Sequence, residues 1–104
     1  MPSPPLEFLS DNIEFSFDPE KSLMLKQTRG ISFEEIIVLM EAQLPLLVMR
    51  HPNVVRYPNQ HFCEINVGGY IYLIPMVIDG RKVFLKTIFP SRKATKKRSK
   101  GAIQ

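Results

Sequence analysis

Residues 60–89 read Q-H-F-C-E-I-N-V-G-G-Y-I-Y-L-I-P-M-V-I-D-G-R-K-V-F-L-K-T-I-F, and this stretch decides the fold. Cys63, Ile65 and Val67 alternate with Glu64 and Asn66, the period of a half-buried strand. Gly68-Gly69 and Asp79-Gly80 supply residues that tolerate positive φ, so each predicts a tight hairpin turn. The expected strands are Gln60 to Val67, Tyr70 to Ile78 and Lys82 to Phe89. Pro75 lies inside the middle one, where it removes a ladder donor and predicts a bulge or a locally open edge. Pro90 ends the last strand, and Ser91 can cap a short basic helix.

Working back toward the N-terminus, Leu46 to His51 is apolar enough for another strand, joined to the meander by the turn-rich loop Pro52 to Asn59. Two helices precede it. Asp18-Pro19 is a helix start, with Asp18 as N-cap and proline at the first helical position, and this helix runs to about Arg29. Gly30 provides the left-handed residue that commonly ends a helix, and Ser32-Phe33-Glu34-Glu35 opens the next one as a capping box. Ile31 and Ile36 stand at the positions of a hydrophobic staple. Phe33, Ile36, Ile37 and Met40 share one face of this second helix, which should lie on a sheet, with Glu34, Glu35 and Glu41 toward solvent or a partner. Glu14 to Phe17 is a short first strand.

The chain is therefore expected to be α+β: two N-terminal helices packed on a mainly antiparallel β-meander of three to four strands, with a short basic C-terminal helix or tail. Residues 1–13 form an irregular proline-rich arm, 14–96 a single domain and 97–104 a basic tail. At 104 residues the chain can build one core without metal or disulfide. The longest apolar run, Tyr70 to Ile78, is too short to cross a bilayer, and the N-terminus lacks the basic start and apolar centre of a secretory signal. With a lone cysteine, Cys63, a cytoplasmic location is the default expectation and no membrane partner is expected.

Charge is distributed unevenly. Arg92, Lys93, Lys96, Lys97, Arg98 and Lys100 are six of the fourteen basic residues, and no acidic residue follows Asp79. The remainder carries eight basic against ten acidic groups, so a body near −2 is joined to a segment of +6. Such asymmetry points to a polyanion, because lysine and arginine contacts to phosphate release condensed counterions. A merely solvated basic terminus is the alternative. No G-x-x-x-x-G-K-[ST] or G-x-G-x-x-G occurs, so no nucleotide cofactor is expected. His51, His61 and Cys63 lack paired metal-ligand spacing, so no metal is expected either.

Three blocks occur together: Phe15-x-Phe17-Asp18-Pro19-x-Lys21, Lys26-x-x-Arg29-Gly30-Ile31-Ser32-Phe33-Glu34-Glu35, and Ser91-Arg92-Lys93-Ala94-Thr95 after a β-meander. In order and spacing, over roughly residues 15–96, they resemble the BrnT-type toxin family of bacterial toxin–antitoxin pairs. The resemblance implies a RelE-like fold, an endoribonuclease that arrests growth, and a cognate antitoxin as partner. Phe17 stands where that family usually has tryptophan, Arg29 where it usually has histidine, and the loop 52–60 does not align.

A metal-free ribonuclease must help a ribose 2′-OH attack the adjacent phosphate, neutralise the phosphorane and protonate the leaving 5′-oxygen. Arg92 can hold two phosphate oxygens at once. Lys86 is set in an apolar strand beside Phe84 and Ile88, where an unpaired charge is costly, although an edge-strand lysine that deters aggregation is the alternative. His51, with Tyr57 nearby in sequence, can move protons, the alternative being a loop histidine bonded to backbone. Arg50, Lys93, Lys96, Lys97 and Arg98 are candidates for gripping the RNA backbone. His61 shares a strand face with Cys63 and is expected as a core or sheet-surface histidine, Cys63 is expected buried, and Tyr70 and Tyr72, which could otherwise stack on bases, are expected in the core. Two other functions remain open: a nucleic-acid-binding module without chemistry, and an interaction domain that docks an acidic partner through its basic segment.

Overall fold

The computed structural model describes residues 13–43 and 47–103, with side chains from 13–42 and 48–97. The elements follow in the order β1 (Glu14–Ser16), α1 (Pro19–Arg29), α2 (Phe33–Gln43), β2 (Leu47–Arg50), β3 (Gln60–Val67), β4 (Tyr70–Asp79), β5 (Lys82–Leu85), β6 (Phe89–Pro90) and α3 (Arg92–Ile103). The class is α+β. The sheet runs β1-β5-β4-β3-β2, with β6 also on β4. This is more than the expected three to four strands, because β1 joins β5 in parallel and the last expected strand is split into β5 and β6. The expected arm falls almost wholly on residues outside those described, and the segment expected as a tail continues α3 to Ile103.

Local signals built the two-helix elbow as read. The Asp18 carboxylate accepts from the Glu20 N–H at 3.0 Å, and Gly30, at φ 77°, donates its N–H to the Lys26 carbonyl at 3.0 Å. Ser32 and Glu35 close the capping box reciprocally, at 3.2 Å (Glu35 N–H to Ser32 Oγ) and 2.8 Å (Ser32 N–H to Glu35 Oε1). The tie between the helices is Ser22. Its buried hydroxyl accepts from the Phe33 N–H at 3.0 Å and donates to Glu34 Oε1 at 2.5 Å, so it satisfies an otherwise orphaned donor at the start of α2. Leu25, Ile31, Phe33, Ile36 and Met40 then pack on the sheet with Val48, Cys63, Ile74, Met76, Val83, Leu85 and Ile88. Each such side chain is worth about 1.5–3 kcal/mol of burial. Phe17 lies against Phe33, ring centres 5.3 Å apart.

Strand β4 organises the sheet, and its outer edge can be accounted for position by position. The carbonyls of Ile71 and Pro75 both accept bonds from the β5–β6 side, whereas the N–H of Ile78 points to Asn59 on the β3 side. Odd-numbered residues of β4 therefore face β5 and β6, and Pro75 is the one of them with no donor to offer. The pairing shifts at that point. Met76 opposes Leu85 and Leu73 opposes Phe89, so Ile74 and Pro75 stand against Lys86, Thr87 and Ile88. The extra residue is a β-bulge. It reverses the alternation, so that Leu85 and Ile88 both point into the core and are fully buried. Lys86 thus does not share a face with Ile88 in a continuous strand, as the sequence pattern implied.

Beyond β6, the N-terminus of α3 completes the edge. Ser91 donates its N–H to the Ile71 carbonyl at 2.8 Å, and the Ile71 N–H is accepted by Thr95 Oγ1 at 2.9 Å, whose own hydrogen goes to the Ser91 carbonyl at 2.7 Å. Ser91 Oγ caps the Ala94 N–H at 3.1 Å, and Ala94 is buried. Thr95→Val keeps the shape and removes the acceptor; it should lower stability by about 1–3 kcal/mol, measured as a shift of the urea unfolding midpoint. An unchanged midpoint would mean that α3 is not anchored through this hydroxyl.

Candidate nucleic-acid interface

The helices α1 and α2 cover one face of the sheet; among the described residues the other face carries half-buried to exposed side chains, except at Ile71 beside α3, which is buried. Cross-strand register lays out the rows of that face. One runs Met49, Phe62, Pro75 to the bulge at Lys86, and the next runs Leu47, Glu64, Leu73 to Phe89. Met49 and Phe84 are each 42% exposed, unusual for large apolar side chains on a sheet. Met49, Phe62, Glu64 and Leu73 line a pocket of about 110 Å³ on this face.

At one margin of the open face stand cations. Lys86 follows core-facing Leu85, which places it on the open side, half-buried, with its N–H bonded to the Pro75 carbonyl at 2.9 Å. Arg29, from the last turn of α1, donates to the Ile88 carbonyl within the bulge. This is the residue that sequence reasoning passed over. Residue 89 turns its backbone groups toward β4, so the Ile88 carbonyl faces the outer edge, where Arg29 meets it from 59 residues away, a pairing that local sequence does not signal. In the Ser91–Thr95 block, Ser91, Ala94 and Thr95 dock the helix, while Arg92 and Lys93 are exposed, as are Lys96 and Lys97 one turn on. The side chain of Arg98 lies outside those described.

At the opposite margin the loop between β2 and β3 gathers rings. His51 bonds its backbone N–H to the Gln60 carbonyl, and its Nδ1 accepts from the Asn53 N–H at 3.0 Å. That bond holds the ring orientation through Nδ1 as acceptor. Tyr57 lies 4.5 Å from the His51 ring and Phe62 lies 6.3 Å away, nearly parallel to it at 11°. Arg56 sits over Tyr57 at 5.5 Å. Arg50 lies on the other face, opposite His61, with its guanidinium bonded to the Pro58 carbonyl at 3.4 Å.

The four expected catalytic residues thus divide. His51 and Tyr57 are together, but strand spacing and rise put the His51 backbone roughly 15 Å from Lys86 and roughly 25 Å from Arg92. No single phosphate can be reached by all of them. Lys86 and Arg92 stand on the same edge of β4, opposite Pro75 and beyond Ile71 respectively, roughly 13 Å apart along the strand.

Two further candidates from the same strand, His61 and Cys63, point to the helical side of the sheet. His61 is buried in the core beside Arg50, its Nδ1 3.1 Å from the Asn59 carbonyl. Burial pushes its imidazole below the ordinary value; the Asn59 carbonyl opposes the shift and the Arg50 charge adds to it. Cys63 is wholly buried, and burial, reinforced by Glu64, pushes its thiol up to about 12. Among the described residues no group of three metal-ligating side chains occurs, and no helix is long and apolar enough to cross a membrane. No protein-family model matches the chain, and neither a curated protein nor a solved structure does.

Because the unfolded chain protonates His61 more readily than the folded one, its contribution to stability is complete above about pH 6.5 and is lost as pH falls through that value. The urea midpoint should fall between pH 7.5 and 5.5, a window above the carboxylate range, and His61→Gln should flatten the fall. A thiol held near 12 is also unreactive at neutral pH, so iodoacetamide should label Cys63 only after denaturation, read by mass spectrometry. Rapid labelling of the folded protein would contradict its burial.

Proposed function

We propose that the protein is the toxin component of a type II toxin–antitoxin pair, a RelE-like, metal-independent endoribonuclease that acts in the cytoplasm. The observation that carries this reading is the bulge at Lys86, which sets a half-buried lysine on the sheet face away from α1 and α2, along the β4 edge at whose far end Arg92 begins α3. Bulges recur beside active sites because they re-aim a side chain. The BrnT-like blocks support the same reading, since two of them supply the elbow that positions Arg29 and the anchor that presents Arg92.

In this mechanism the scissile phosphate sits at Lys86. The ribose 2′-oxygen attacks phosphorus and loses its proton to water; the bond to the 5′-oxygen breaks, and that oxygen takes a proton from the Lys86 ammonium. Arg92 spreads the charge of the phosphorane, and Lys93, Lys96 and Lys97 hold neighbouring phosphates. Products carry a 2′,3′-cyclic phosphate and a 5′-hydroxyl. An antitoxin would cover this basic margin.

A second reading is a nucleic-acid-binding module without chemistry, favoured by the distance between Lys86 and the proton-carrying side chains His51 and Tyr57. End-labelled RNA incubated with the protein in chelator separates the two. Cleavage to cyclic-phosphate ends, reduced at least 100-fold in Lys86→Ala and in Arg92→Ala, is expected. Intact RNA bound with a steep salt dependence would establish the module instead.

A further inference from the structure

We propose that the rings of the β2–β3 loop, together with the adjoining pocket on the open sheet face, form a nucleobase-binding subsite for single-stranded RNA. The inference rests on the reading of RNA as the ligand and assigns His51, Tyr57 and Phe62 to base recognition. Three observations carry it. His51, Tyr57 and Phe62 form a continuous ring cluster, with His51 4.5 Å from Tyr57 and 6.3 Å from Phe62, and Arg56 extends it over Tyr57. Rings interleaved with guanidinium planes offer every base a stacking surface. Second, the Asn53 N–H bonds His51 Nδ1 and so holds the ring as a platform.

Third, the surroundings discriminate between base and phosphate. From residue 42 to residue 63 there is no acidic residue, and Arg56, over Tyr57, belongs to this stretch. The pocket next to Phe62 differs, being walled by Met49, Leu73 and the Glu64 side chain. The apolar walls accept a base more readily than a phosphate, so the base enters the pocket while the backbone lies toward Arg56. The row Phe62, Pro75, Lys86 then connects this subsite with the bulge across the open face. A strand whose phosphate is held at Lys86 passes over that row and places a base farther along on the rings.

The test uses a single-stranded 2′-O-methyl oligonucleotide carrying 2-aminopurine, which cannot undergo 2′-oxygen attack and whose fluorescence is quenched by stacking. The full chain should quench it on binding. Tyr57→Leu, in an exposed loop, and Phe62→Leu, checked for folding by circular dichroism, should each abolish the quench. Each should weaken affinity about 5- to 150-fold, with an unchanged salt slope, the range of one lost base stack. Lys96→Ala with Lys97→Ala should instead lower the salt slope and keep the quench. Undiminished quenching and affinity in both ring variants would overturn the subsite while leaving the nucleic-acid reading intact. No binding by the wild-type chain at low salt would overturn both, and cleavage of unmodified RNA is read separately.

Discussion

The missing N–H of Pro75 is the constraint on which the working side of this molecule depends. β4 pairs with three other strands, and Pro75 turns its donorless nitrogen toward the strand that must pack against the β4 outer edge. That strand cannot run straight past. It gains one residue as a bulge, which returns Ile88 to the core and leaves Lys86 on the open face. The outward Ile88 carbonyl is met by Arg29, and the shifted chain arrives at Ile71 where Ser91 and Thr95 complete the edge. The bulge opposite this proline thereby sets the position of a lysine and the register in which the next helix starts.

Much of this was legible in the sequence because the signals are local. Asp18-Pro19, Gly30 and the Ser32–Glu35 box specify their own backbone bonds, so the elbow and the buried face of α2 follow from neighbours a turn apart. The glycine turns likewise set the β3–β4 and β4–β5 hairpins. Pro75 marked a bulge or open edge correctly, since a missing donor is a property of the residue itself. Non-local pairing was not legible. Nothing in Glu14–Ser16 indicates a parallel partner near residue 83, and the reversal of alternation after Leu85 requires knowing which β4 edge lacks a donor. For the same reason Lys86 was set beside Ile88, and Arg29, which acts 59 residues away, was passed over as a site residue.

The candidate site divides along similar lines. Residue type alone identified the cations and the ring-bearing loop, but their separation is a matter of strand order. Lys86 and His51 lie on strands three spacings apart, so they serve one extended ligand more readily than one reacting atom. The Ser91–Thr95 block carries two jobs in five residues: Ser91, Ala94 and Thr95 anchor α3 to β4, and this anchoring is what holds Arg92 and Lys93 outward beside the bulge. The anchoring residues and the exposed cations are thus the same stretch of chain.

The most direct test is a map of backbone amide shifts in the 15N-labelled protein as single-stranded 2′-O-methyl RNA is added. The open-face interface predicts changes at His51, Tyr57, Phe62, Lys86 and the first turns of α3, with Leu25, Ile36 and Met40 of the helical layer unmoved. Changes centred on the exposed side of α2, or none at Lys86 under saturating RNA, would contradict it.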